Sequence, residues 1–185
     1  MQKMNAGDFM TLLEAEKSNG IVSFEEKVDV EGAVNITPWR GPDSYRIVIR
    51  NVVFKNQVYF SGFTERRKGE ISLQGSLFQE QLSIRSGEHV SVKISDCSVQ
   101  SLELEALFVH MHGVMIDRGF VVIGCKEKNS SVELIKVGCR NMALVPGNLP
   151  TYVTTDDPVL ARQFELARVP VFVTTATAAK MVAPV

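Results

Sequence analysis

His110 and His112 stand two apart in "FVHMHG", so on an extended strand both imidazoles point to one face, with Val109 and Met111 on the other. Such a pair could share a metal ion. A site needs three or four ligands, however, and Asp117 is the nearest carboxylate, so a surface pair near a corner is the simpler account. Asp96 and Arg118 form a second candidate set, as an acid and a base on an outward face, and Glu103 and Glu105 lie on another. An acid opposite an arginine is more often an exposed ion pair than a catalytic one. Asp156 and Asp157 precede Pro158 and an apolar stripe, where aspartate is a favoured helix cap. Cys97, Cys125 and Cys139 sit in apolar segments without a histidine at the spacing of a nucleophile pair, and they read as packing thiols. There is no Gly-x-Ser-x-Gly turn and no Gly-x-x-x-x-Gly-Lys loop, so no cofactor is expected.

The elements that must position these side chains show two periods. Met1 to Gly20 reads as one helix, capped at Asn5 or Asp8, with Phe9, Leu12, Leu13 and Glu16 at helical spacing and Asn19-Gly20 as its stop. From Ile21 to about residue 145 the period is 2, in short alternating segments separated by polar turns. "VDVEG", "IVIRN", "ISLQG", "VKISD", "VMIDR" and "VELIK" begin at Val28, Ile47, Ile71, Val92, Val114 and Val132, a quasi-period of about 20 residues. A shift of 24 residues superposes Ile47 on Ile71, Ile49 on Leu73, Asn51 on Gly75, Val53 on Leu77, Phe54 on Phe78, Val58 on Leu82 and Phe60 on Ile84.

Gly32, Asn51, Gly75, Asp96 and Arg118 follow the second inward position of successive units, and Gly, Asn and Asp tolerate a left-handed corner. These features predict a mainly β fold: a short parallel β-helix of about six coils, stacked at about 4.8 Å for a length near 29 Å. One internal ladder would hold Ile47, Ile71, Val92 and Val114, and another Ile49, Leu73, Ile94 and Ile116. The alternative is an antiparallel β-sandwich, against which stands the lack of clear two-residue Asn-Gly or Asp-Gly hairpin signals between strands. The helix at 1–20 would cover one open coil end, the body would occupy 21–150, and "TYVTTDDPVLARQFELARVPVFVTT" would lay a strand-helix-strand element on the other end.

The stacked "IVIRNVVF", "ISLQGSLF" and "VKISDCSV" resemble irregular right-handed parallel β-helix proteins and, more distantly, pentapeptide-repeat proteins. That resemblance implies an architecture and carries no catalytic residue. A second one covers some 25 residues: Thr155 with Asp156 and Asp157, followed by Leu160, Ala161 and "VPVFVT", looks like the closing segment of PIN-type nucleases. It would imply a metal-binding carboxylate there and at least two further acids nearby.

Composition bounds the function. The chain has 185 residues, 45% of them hydrophobic, and a charge of 20 minus 21, or −1, which describes one globular domain. Near neutrality disfavours a nucleic-acid binder, since a phosphate-tracking surface is markedly basic, and Glu65-Arg66-Arg67-Lys68 is the one basic cluster. No signal-peptide pattern and no apolar run of membrane-helix length is present. With an odd number of thiols, this points to a cytoplasmic protein or a phage or virion component. The leading expectation is a non-enzymatic scaffold meeting a protein partner or itself through outward apolar positions Val48, Met115 and Ile135. A carbohydrate-binding or carbohydrate-cleaving protein comes second, and a PIN-like nuclease third.

Overall fold

The computed structural model describes residues 2–15, 19–37, 44–63, 68–86, 89–124, 130–145 and 149–174. In chain order the elements are β1 (Lys3–Asn5), α1 (Ala6–Glu14), β2 (Asn19–Glu31), β3 (Val34–Ile36), β4 (Ser44–Phe54), β5 (Val58–Phe63), β6 (Lys68–Gln74), β7 (Leu77–Ser86) and β8 (Val90–Ser95). There follow β9 (Ser98–Glu105), β10 (Phe108–His112), β11 (Met115–Gly124), β12 (Ser131–Ile135), β13 (Gly138–Leu144), β14 (Tyr152–Thr155), α2 (Pro158–Leu166) and β15 (Val171–Val173).

Every strand pair among the described residues is parallel, from β1 with β2 to β14 with β15. The fold is therefore a parallel β-solenoid of about five turns with two helices, and not a sandwich. Each turn has three short sides. In the second turn these are Ile47–Ile49, Val52–Phe54 and Val58–Phe60, and the long β4 bends between the first two. All seven superpositions expected from the 24-residue shift exist: six are direct strand partners, and Asn51 sits over Gly75 at the intervening corner.

That corner is where the backbone turns left-handed. Asn51 (φ 58°), Gly75 (60°), Asp96 (52°), Gly113 (63°) and Lys136 (53°) occupy it in successive turns. The N–H of Gly75, Asp96 and Gly113 each donates to a carbonyl of the next turn, on Ser95, His112 and Ile135. A Cβ on Gly75 would stand 2.6 Å from Asn51 Oδ1, and one on Gly113 2.7 Å from Asp96 Oδ1. Glycine there supplies both the dihedral angle and room for the side chain stacked above. Gly32 also has positive φ, but it belongs to the following corner, where its N–H donates to Asn56 Oδ1 at 2.9 Å.

The expected ladders are right for three turns and then lose phase. Val92 and Ile94 pair onward with Val109 and Met111, only 17 residues along, then with Val132 and Leu134, and Val153 and Thr155. Val114 and Ile116 are buried, but Ile116 stacks on Val99, on the second side. "FVHMH" is the first side of its turn; its histidines disguise an inward Val-x-Met as a surface segment. Arg118 consequently is not a corner residue, and Gly113 takes that place. At the start, the partners of Ile47 and Ile49 are Gly20 and Val22, while Val28 and Val30 pair with Val52 and Phe54 on the second side.

The core is a set of stacked apolar columns, all of whose members from Ile47 to Leu104 are essentially dry. Burying each Val, Leu, Ile or Phe contributes about 1.5–3 kcal/mol, which offsets the ordering cost of a chain whose contacts are mostly long-range. Both ends of the core are closed by helices. α1 is capped by Asn5, whose Oδ1 accepts from Asp8 N–H at 2.8 Å, and it buries Phe9 and Leu13. The Phe9 ring meets Phe54 edge-on at 5.2 Å, and Phe54 stacks on Phe78 at 5.1 Å and 14°. The helix stops at Glu14, and Asn19-Gly20 already belong to β2, because the strand ladder captures them. At the other end α2 buries Leu160, Ala161 and Phe164 and packs on β14 and β15.

Candidate functional site

On the first side of the solenoid the middle outward column runs Ile21, Val48, Ser72, Lys93, His110, Glu133, Thr154 and Phe172. The polar members pair with neighbours one turn away. Glu70 accepts from Lys93 Nζ at 3.0 Å and lies 3.5 Å from Arg46 Nε, and His110 Nδ1 is 2.6 Å from Glu133 Oε2. On the third side Glu103 gathers Arg85, through Nε at 3.0 Å and Nη2 at 2.6 Å, with Ser83 Oγ at 3.3 Å and Gln81 Nε2 at 3.4 Å. These are cross-strand ladders of the kind that holds register. Their charges are spent on one another.

The candidate residues disperse over this frame. His110 and His112 do share the outer face of β10, but no group of three or more His, Cys, Asp or Glu able to hold a metal occurs among the described residues. Asp96 and Arg118 are not stacked neighbours, since Asp96 lies over Gly113 and Arg118 follows the second side of its turn. Asp156 takes both its oxygens to Lys136 N–H, at 2.9 and 3.1 Å, doing for the last left-handed corner what a next-turn carbonyl does for the others. Asp157 caps α2, accepting from Val159 N–H at 2.7 Å and Leu160 N–H at 3.2 Å. Both aspartates are thus committed to backbone donors. The cavity beneath α2, about 10 Å³ and lined by Met111, Ile116, Leu134, Val137 and Leu160 among others, is apolar and presents no acid.

Of the expected partner-binding positions, Val48 is a correction: it is only 3% exposed. On its own face it stands between the longer Arg46 and Arg50 along the strand and beside Ile21 across it, and a short branched side chain among taller neighbours is shielded. Met115 is 54% exposed, on the second side, with its thioether over Gly138. Ile135 is half-buried on the first side. The three do not adjoin.

Exposed apolar surface gathers elsewhere. Nine large apolar side chains are exposed among the described residues, and five of them belong to the closing element: Tyr152, Val159, Leu166, Phe172 and Val173. Tyr152 and Phe172 meet edge-on at 5.9 Å on the outer face, while Val159 and Leu166 face outward from α2. Leu12 and Ile21 are exposed at the opposite end, and only Phe108 and Met115 stand between. Scattered single exposures are ordinary on any surface, whereas five fall on this one 22-residue element. The sequence held a signal for it. Once the register is known, the outward column is polar from Ser72 to Thr154 and apolar at its last member, Phe172.

No protein-family model, no curated protein and no solved structure matches the chain.

The Cys97 thiol is protected by the stack. Cys97, next to the left-handed Asp96, is 3% exposed and donates to Ser95 O at 3.2 Å, and burial pushes its pKa up to about 11. Burial raises the Cys139 thiol as well, and Cys125 lies outside the described residues, as does most of the basic cluster at 65–68. A buried thiol that resists ionisation is a poor nucleophile. Its folded pKa exceeds its unfolded one, so its contribution is whole below about pH 9 and fades as pH rises toward 11, by on the order of 2 kcal/mol. We expect Cys97 to react with a thiol reagent at pH 8 only on unfolding, and Cys97→Ala to flatten part of the alkaline loss of stability in urea titrations at pH 8 to 11. Fast labelling of native Cys97 would contradict this.

Proposed function

We propose that this chain is a non-enzymatic scaffold that binds protein through the closing end of its solenoid. The observation that carries the reading is the contrast between the long faces and that end. The faces present paired ladders such as Arg46–Glu70–Lys93 and Arg85–Glu103, whereas the end presents Tyr152, Val159, Leu166, Phe172 and Val173 beside the last strand of a parallel sheet. A strand edge with apolar neighbours offers main-chain hydrogen bonds and side-chain burial together, the combination used when an extended segment adds to a sheet. The near-zero net charge suits a protein partner better than nucleic acid. No helix among the described residues is long and apolar enough to cross a membrane. The free thiols of Cys97, buried, and Cys139, half-buried, fit a reducing compartment such as a cytoplasm, or the interior of a particle assembled in one.

An enzymatic reading, on carbohydrate or nucleic acid, draws no support from the candidate acids, because Asp156, Asp157 and Glu103 are engaged in holding the fold. The test is site-specific photo-crosslinking in the native host, with the photoreactive residue at Leu166 or at Ser83. Covalent protein adducts from Leu166 and none from Ser83 are expected. Adducts from Ser83 alone, or from neither, would overturn the reading.

A further inference from the structure

The closing end carries a more specific feature, an open strand edge that is complementary to itself. Val153 N–H donates to Pro170 O and Thr174 N–H donates to Thr155 O, both at 2.9 Å. In a parallel ladder a residue's N–H and C=O point to the same side and alternate along the strand, so Phe172 is turned toward β14. Val171 and Val173 are turned away, and among the described residues no strand pairs with that edge. None of the usual guards is present on it: no charge, no bulge and no proline between Val171 and Val173.

We infer that β15 pairs with β15 of a second copy of this chain, antiparallel across a two-fold axis at Phe172. In that register Val171 of one copy lies opposite Val173 of the other and the two exchange both backbone hydrogen bonds, twice over by symmetry. Phe172 meets its own copy as the non-hydrogen-bonded pair, where side chains approach most closely. Both rings are on the outer face, beside Tyr152. The two first-side sheets become one continuous sheet.

The level of the two ends decides for tail-to-tail pairing over head-to-tail stacking. At the closing end β14 and β15 rise together by about 10 Å, close to the thickness of the helix α2 that packs beside them. A two-fold mate at the β15 edge would bring a second α2 toward the end that carries the exposed Val159 and Leu166. At the opening end, α1 packs on β1, β2 and β3, while the first part of β2, Asn19 to Ser23, pairs only with β4. α1 thus stands about one helix thickness beyond the strand edge that a head-to-tail contact would have to reach.

The inference rests on the scaffold reading, and the experiment separates their failures. In analytical ultracentrifugation the wild-type chain runs as a dimer and no larger, and Phe172→Glu and Phe172→Lys each shift it to monomer by weakening association at least tenfold. Mixing those two variants restores a dimer, because residue 172 faces its own copy on the axis. Val173→Pro, which removes a donor aimed outward and leaves the β14 bonds intact, also gives monomer, and Met115→Glu leaves the dimer unchanged. Circular dichroism melts confirm that each variant is folded. A monomeric wild type, a dimer that survives Phe172→Glu, or a charge-swapped pair that fails to associate would overturn the inference. A monomer that still yields adducts to a different protein from Leu166 would end the self-pairing and leave the scaffold reading standing. Coverage of the edge by the chain's own residues 175–185 would appear as a wild-type monomer that dimerises when those residues are removed, and it too would overturn the inference for the full chain.

Discussion

Replacing Phe54 by alanine lowers the free energy of unfolding by about 3–5 kcal/mol, the largest single-residue effect expected in this chain. Phe54 is fully buried and is the hinge of three packed groups: Phe9 from the capping helix meets it edge-on, Phe78 of the next turn stacks on it, and Val30 pairs with it from the turn before. Truncation removes the transfer free energy of the ring and leaves a void that three rigid neighbours cannot collapse into. It also frees α1 from its main anchor, so the variant should show early loss of helical signal in thermal melts. Phe78→Ala should cost less of that helical signal, since Phe78 makes no ring contact with Phe9. An unfolding free energy from urea titration for Phe54→Ala within about 1 kcal/mol of wild type, on the order of one lost methylene, would contradict the packing described.

Lys55→Met should destabilise the fold by about 2–4 kcal/mol, although the lysine is itself partly exposed. Its partner is Asp29, whose side chain is 5% exposed and whose Oδ2 lies 3.2 Å from Lys55 Nζ. The other carboxylate oxygen, Oδ1, is buried without a hydrogen-bond partner. Removing the lysine leaves the buried carboxylate without its contact partner and with only the weaker attraction of Lys3, whereas Asp29→Asn leaves a lysine that is 31% exposed and can turn to water. Asp29→Asn should accordingly cost about 1 kcal/mol, and the double variant should recover most of the loss seen for Lys55→Met. Denaturation of the four chains closes this cycle. Equal losses for the two single variants would show that the carboxylate is not the strained partner.

How far the fold could be read before the structure follows from what each residue type fixes. The run from Ile47 to Ile84 is legible because the segments 47–60 and 71–84 repeat apolar, left-handed and aromatic positions at the same spacing, and each coincidence is a physical neighbour. The phase is lost at Val109 because the turn there shortens to 17 residues and its strand carries two histidines, so alternation alone favours "VMIDR" as the first side. β1 was illegible: three residues before a helix carry no period, and only pairing with Asp29 to Glu31 makes them a strand. A cap at Asp156 or Asp157 is legible from Pro158 and the stripe behind it, but the choice of Asp157, and the corner role of Asp156, require knowing that Lys136 lies alongside. The apolar end patch depends on which strands lack a neighbour, and that is a property of the stack, not of any segment.

The central claim, that the chain pairs with a second copy through its closing end, is tested most directly by residue-resolved hydrogen exchange of the wild-type chain at low and high concentration. The account predicts that the amides of Val171 and Val173 exchange freely when dilute and slow by about tenfold or more when concentrated, with the ladder strands unchanged. Concentration-dependent protection on the Arg46–Glu70–Lys93 or Arg85–Glu103 faces, or at no amide at all, would contradict it.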